Sequence, residues 1–101
     1  MYRIVCLMLL LTAVPAQAIS EYDLTIGVLG AQGNNVYFET IEDRSVTCLH
    51  QKLYIDITSD FGKSAHSNLL FAKSTNRKLS RVDYDQTSEG QCVVALIEVE
   101  D

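Results

Sequence analysis

The stretch LYIDITSDFGKSAHSNLLFAKSTNRKLSRVDYD, residues 53–85, changes its hydrophobic period twice. At its start, Leu53, Ile55 and Ile57 alternate with Tyr54 and Asp56, the period-two pattern of a half-buried strand. The period then lengthens. Phe61, Ala65, Leu69 and Ala72 recur at i, i+4, i+8 and i+11, which is one face of a helix. Ser59 or Asp60 can cap that helix by accepting a backbone N–H. Asn76 suits a left-handed C-cap, and Lys73, Arg77 and Lys78 suit the negative end of the helix dipole. Period two returns in KLSRVDYD, with Val82 and Tyr84 inward and Arg81 and Asp83 outward.

Working toward the N-terminus, YDLTIGVLGAQGNNVYFETI reads as two strands around a turn. Leu24, Ile26 and Val28 alternate with Thr25, Gly27 and Leu29, and Gly27 marks a bulge or bend. GAQGNN supplies residues that tolerate positive φ and predicts a hairpin loop longer than two residues. Beyond it, Val36 and Phe38 share one face, and Tyr37 and Glu39 the other. EDRSVT is a polar connection, and the third strand is expected within CLHQKLYIDIT. Toward the C-terminus, QTSEGQ is a turn and CVVALIEVE the last strand. Its inward set is either Val93, Ala95, Ile97 and Val99, or Val94 and Leu96; apolar residues on both faces predict a central strand or an interface. The order β-β-β-α-β-β makes an α+β, mainly β domain. Five strands with a helix between the third and fourth is the order of the OB-fold, a small, partly open Greek-key barrel.

Residues 1–18, MYRIVCLMLLLTAVPAQA, have the form of a cleaved export signal: Arg3, an apolar run from Ile4 to Leu11, and a small-x-small site at Ala16–Ala18. The mature domain is then 19–101, secreted or periplasmic, with no segment of the roughly 20 apolar residues a membrane span needs. Losing Arg3 leaves seven basic against thirteen acidic side chains, a net charge of −6. That balance disfavours nucleic acid, whose phosphates are met by clustered Lys and Arg. Removing Cys6 leaves Cys48 and Cys92, read in an oxidising compartment as one disulfide.

The segment over about residues 48–99 resembles the OB-fold B subunits of pertussis-like and subtilase-type bacterial toxins and their uncharacterised exported relatives. The residues that carry the resemblance are Ile55, Gly62, Lys63, Ala65, Leu69, Leu70, Ala72, Lys73, Val82 and Cys92. It implies the scaffold more than the glycan site, since the aromatic-rich sugar-binding segments of those subunits have no counterpart here; it motivates a glycan as ligand and suggests a symmetric oligomer of about five subunits. The chain departs from those subunits in having no tryptophan.

No nucleophile, base and carboxylate can be read out together. His66 stands near Ser64, Ser67 and Asp60, but helix neighbours one or two apart point away from each other. His50 and His66 are too few for a zinc site with the cysteines paired, and DYDQTSEG lacks the ligand density of a calcium loop. The reading is therefore a non-enzyme with no cofactor and no metal. The binding candidates are Tyr37, Tyr54 and Tyr84, with Asn34 and Asn35 in the loop, because OB-type barrels bind on strands 2 and 3 and neighbouring loops. The expected partner is a glycan or a protein. The alternative is a small periplasmic inhibitor or accessory protein that plugs an enzyme cleft with residues 30–35.

Overall fold

A computed structural model describes residues 18–101; the expected leader lies, apart from Ala18, outside them. The chain forms β1 (Ala18–Leu24), β2 (Ile26–Gln32), β3 (Asn35–Thr40), a 3₁₀ turn (Leu49–Gln51), β4 (Leu53–Asp56), α1 (Asp60–Thr75), β5 (Leu79–Gln86) and β6 (Cys92–Val99). The six strands make one mixed sheet in the order β1-β5-β6-β4-β3-β2. Only β4 and β6 run parallel, and they share just the register pairs Leu53↔Cys92 and Tyr54↔Val93. The chain crosses between them by way of α1 and β5, the kind of long connection a parallel pair requires.

The first expected strand is two. The break falls at Thr25, after Asp23 has taken a left-handed φ of 57°. The Thr25 backbone N–H and hydroxyl donate to the two Glu42 carboxylate oxygens at 2.6 and 2.7 Å, and its carbonyl accepts from the Ile41 N–H at 3.0 Å. The corner is thus gripped by the segment after β3. Burial works to raise the Glu42 carboxyl, but the Thr25 bonds outweigh it and hold it below its ordinary value. Beyond the corner, the β2–β3 register shifts between Ile26 and Val28, which makes Gly27 the bulge. The shift reverses the alternation. Leu24 and Ile26 are buried as expected, but Val28 is exposed and Leu29 packs against the core.

Two further expectations are corrected. Gln32 pairs with Asn35, so the loop is the two residues Gly33–Asn34, with Gly33 at φ 60° and Asn34 outside the positive-φ region. A positive φ at the first turn position alone is the type II′ pattern, whose twist matches the flanking strands. In β6 each proposed inward set holds for part of the strand. Cys92 and Val94 are buried, then a register shift opposite Asp83 and Tyr84 makes Ala95 the extra residue and turns Ile97 and Val99 toward the core. The strand is central, between β5 and β4.

The helix forms where its period places it. The Ser59 hydroxyl accepts from the Gly62 N–H at 2.9 Å, and Asn76 closes the helix in the left-handed region at φ 57°. Its buried face is Gly62, Ala65, Leu69 and Ala72. Phe61, expected on that face, is 40% exposed, and Gly62 takes its place. The reason is the approach of the helix to the end of β4: a Cβ on Gly62 would lie 1.8 Å from the Asp56 carbonyl oxygen. No side chain fits there.

Cys48 and Cys92 are joined with their Cα atoms 5.5 Å apart. The bond ties the start of β6 to the 3₁₀ turn that leads into β4. Around it, the Leu49 N–H donates to the Gly90 carbonyl at 2.9 Å and the Gln86 amide donates to the Thr47 carbonyl at 2.8 Å. The turn carries His50 and Gln51 at φ 58° and 63°, a conformation uncommon for residues with a side chain. The disulfide is compatible with an oxidising compartment.

Two predictions follow from this seam. Replacing both cysteines by serine lowers unfolding free energy by up to about 4 kcal/mol, the loop-entropy value for a 44-residue separation, read as a fall in the urea midpoint. Gly62→Ala costs about 3 kcal/mol, the upper end for overpacking, because the atom it meets is backbone. A Gly62→Ala variant with an unchanged melting temperature would show that the helix seat is not as tight as its geometry.

Candidate functional site

Period two in β3 and β4 puts Asn35, Tyr37 and Glu39, and Tyr54 and Asp56, on the face away from the helix. Register then aligns them. Gly30 pairs with Tyr37, Tyr37 with Tyr54, and Tyr54 with Val93, so four strands contribute to one outer row. The two tyrosine rings lie 6.1 Å apart between centroids and are tilted by 56°, within the range of favourable aromatic pairs. The Lys52 ammonium sits 4.5 Å from the Tyr37 ring centroid, a cation–π contact. The Tyr37 phenol reaches across β2 because Gly30 has no side chain: a Cβ there would lie 2.6 Å from the ring Cζ and the hydroxyl oxygen. Val93 is partly exposed at the other end of the row.

Polar groups flank the rings. Asn35 pairs with Asp56 in the adjacent register. The Asp56 carboxylate accepts the Thr58 hydroxyl at 2.7 Å and the Thr58 N–H at 2.9 Å, and these bonds lower its pKa. Asn34 occupies the turn, and its carbonyl accepts the Ile57 N–H at 3.0 Å, which holds the hairpin tip against the end of β4. Of the five binding candidates, the structure thus groups Tyr37, Tyr54 and Asn35 on one face with Asn34 at its margin.

Tyr84 does not belong to the group. It is fully buried on the inner face, and its hydroxyl donates to the Glu21 carboxylate at 2.7 Å. The Ser45 hydroxyl and N–H donate to the same oxygen at 2.7 and 2.8 Å. Burial, with the Glu21 charge beside it, pushes Tyr84 up to about 12. Burial works to raise Glu21 as well, but the Ser45 and Tyr84 bonds and nearby Arg44 outweigh it, leaving the carboxyl lowered. Tyr84 is a strut between β5, β1 and the 41–48 loop.

The basic cluster at the end of the helix disperses into separate tasks. The Lys73 ammonium donates to the Ile26 and Gly27 carbonyls at 3.4 and 3.2 Å. The Arg77 guanidinium donates to the Glu100 carbonyl at 3.3 Å and lies 5.5 Å from the Phe71 ring centroid. Arg81 pairs with Asp83 at 2.9 Å. On α1 the Ser67 hydroxyl donates to the Lys63 carbonyl at 3.2 Å. No group of three or more His, Cys, Asp or Glu able to hold a metal occurs among the described residues, and none of the described helices is long and apolar enough to cross a membrane. An open cleft of about 440 Å³ lies beside the 41–48 loop. Arg44 spans it, donating to the Thr40 hydroxyl at 2.8 Å and the Gln51 carbonyl at 3.2 Å.

Sequence reasoning missed Lys52, Gly30 and Val93. Gly30 was within reach: a two-residue turn at Gly33–Asn34 pairs positions whose numbers sum to 67, which sets Gly30 opposite Tyr37. Val93 was not, because it joins the row through the parallel β4–β6 pairing, which no local pattern encodes.

The Tyr84–Glu21 strut gives a pH signature at both ends. Tyr84 is held above its ordinary value of 10.0, so its contribution is complete below pH 10 and is lost as pH rises toward about 12. Glu21 is held below 4.5, so its contribution is complete above that pH and fades as pH falls through the lowered value. Tyr84→Phe is expected to cost about 2 kcal/mol at pH 7, the scale of a hydrogen bond to a charged group. It should also flatten the alkaline fall in melting temperature between pH 10 and 12; an alkaline limb identical to wild type would reject the strut. Set against family models, curated proteins and solved structures, the chain matches none of them.

Proposed function

We propose that this chain is an exported, non-catalytic binding module of OB type, and that the Tyr37–Tyr54 row is its ligand face. The observation that carries the reading is the cross-strand tyrosine pair itself, two rings on an open outer face with Lys52 above one of them. Rings so presented pack against the C–H faces of a sugar, while Lys52, Asn35 and Asp56 at the margin offer donors and acceptors to its hydroxyls. A glycan is therefore the favoured ligand, with a protein partner the other class the face can serve. The net charge of −6 after loss of the leader argues against nucleic acid.

The barrel reading draws support from the order of the sheet. Its two outermost strands, β1 and β2, are consecutive in the chain and separated by Thr25 alone. Counted as one strand bent at that corner, they give five strands with the helix between the third and fourth, and the sheet returns to the strand it began with. On that count β3 and β4 are the second and third strands, the face by which OB-type barrels bind oligosaccharides. A weakly binding face of this size gains from repetition, so the reading includes a homo-oligomer.

The inhibitor reading has less to stand on. Of residues 30–35, only Gly33 and Asn34 form the loop, and its tip is tied to Ile57. A two-residue turn held in this way offers little to insert into a cleft.

Tyr37→Ala and Tyr54→Ala should each weaken binding on a glycan array by about tenfold or more, the effect of losing roughly 1.4 kcal/mol at a buried aromatic anchor, with melting temperature nearly unchanged because both rings lie on the outer face. An array on which the wild-type protein binds nothing would overturn the sugar reading.

A further inference from the structure

The outer edge of β2 is free of any strand partner. β2 ends the sheet and is bonded to β3 alone. Its sequence, IGVLGAQ, holds no charged residue and no proline, two of the devices by which natural edges are kept from pairing; its bulge, a third device, falls at Gly27, before the stretch from Leu29 to Ala31. The other edge, β1, carries Glu21 and Asp23, and Asp23 breaks its extended run at φ 57°.

The backbone groups left open on β2 can be identified. A two-residue turn makes Gln32↔Asn35 a bonded pair, and bonded and non-bonded pairs then alternate along an antiparallel ladder. Gln32 and Gly30 therefore bond to β3, while the N–H and C=O of Ala31 and Leu29 point outward. Past the bulge, the carbonyls of Ile26 and Gly27 are occupied by Lys73. The open set is thus short, uncharged and symmetric about Gly30.

We propose that two copies of this chain pair antiparallel through β2 about a two-fold axis at Gly30. In that register Leu29 of each chain lies opposite the partner subunit's Ala31, and the two such pairs exchange four backbone hydrogen bonds. Gly30 meets the partner subunit's Gly30 as a non-bonded pair, the closer of the two spacings, at about 4.5 Å between Cα atoms. No side chain stands between them. The space above each glycine is already filled by the phenol of Tyr37, so the two phenols come together over the axis. The aromatic row of one chain then continues directly into that of the other: Val93, Tyr54, Tyr37 and Gly30, followed by the partner subunit's Gly30, Tyr37, Tyr54 and Val93. Exposed Val28 faces the partner subunit's Gln32 on the same surface.

Charge selects this occupant. A chain that carries −6 after loss of the leader is repelled least by its like where charge is absent, and β2 holds no charged residue. Glu39, opposite Val28 on β3, lies at one end of the strand, and the two-fold axis puts the partner subunit's Glu39 at the other. The inference deepens the oligomeric part of the proposed function, but it stands on the edge and not on any sugar.

Hydrogen exchange on the exported wild-type protein without ligand, from micromolar to millimolar concentration, tests it. The Leu29 and Ala31 amides should gain at least tenfold protection as concentration rises, while Gly30 stays protected throughout. Sizing should give twice the monomer mass in the same range. Ala31→Pro removes one outward N–H and no bond to β3, and should leave a folded monomer. The proposal is overturned if the two amides exchange at one rate at every concentration, if the protein remains a monomer at millimolar concentration, or if it forms a ring of about five. Protection that develops only when a second protein is added would assign the edge to a foreign strand and equally overturn it. A dimer silent on the glycan array would uphold the edge and reject the sugar.

Discussion

The two-pair parallel seam between β4 and β6 is the narrowest joint in the sheet, and the rest of the structure depends on it. Two register pairs would hold it weakly, since parallel pairing is the less stable kind. Three features converge on it. The disulfide fastens the first residue of β6 to the turn that enters β4. The helix lies against both strands, and Gly62 lets its first turn meet the end of β4 backbone to backbone. Leu69 and Ala72 then fill the space beneath. A covalent staple is useful in a domain this small, where the core alone supplies little margin.

The outer face inherits its order from that seam. Val93 reaches the tyrosine row only because β6 is locked beside β4, and Tyr37 lies flat only because β2 presents a glycine opposite it. The row is assembled from residues far apart in the chain by register alone. The inner face gathers Phe38, Leu53, Val82 and Tyr84 by the same alternation. One polar strut, Tyr84 to Glu21, joins the neighbouring strands β5 and β1 and fastens the 41–48 loop as it does so.

Much of this was legible in the residues, and the failures have physical causes. The helix was readable from its period and both caps, because helical order is local. Phe61 was misplaced because a periodic wheel ranks a phenylalanine above a glycine; the approach of the Asp56 carbonyl reverses that ranking. Val28 falls out of its expected phase, and neither inward set covers the whole of β6, because each strand contains a bulge and one extra residue moves every later side chain to the other face. Tyr84 falls outside the Tyr37–Tyr54 group because its strand phase turns it inward. Its acid partner, Glu21, lies 63 residues away and leaves no local trace.

What the sequence by itself determined is therefore the local and the covalent: which segments are strands, where the helix begins and ends, and which two cysteines can pair. These follow from period, capping chemistry and composition, which act over a few residues. Tertiary structure alone decided that the first strand breaks at Thr25, that β4 and β6 lie side by side, and that Gly30, Tyr37, Tyr54 and Val93 share a row. Those outcomes depend on register and on the meeting of distant backbones, where a single bulge or a missing Cβ decides what faces solvent.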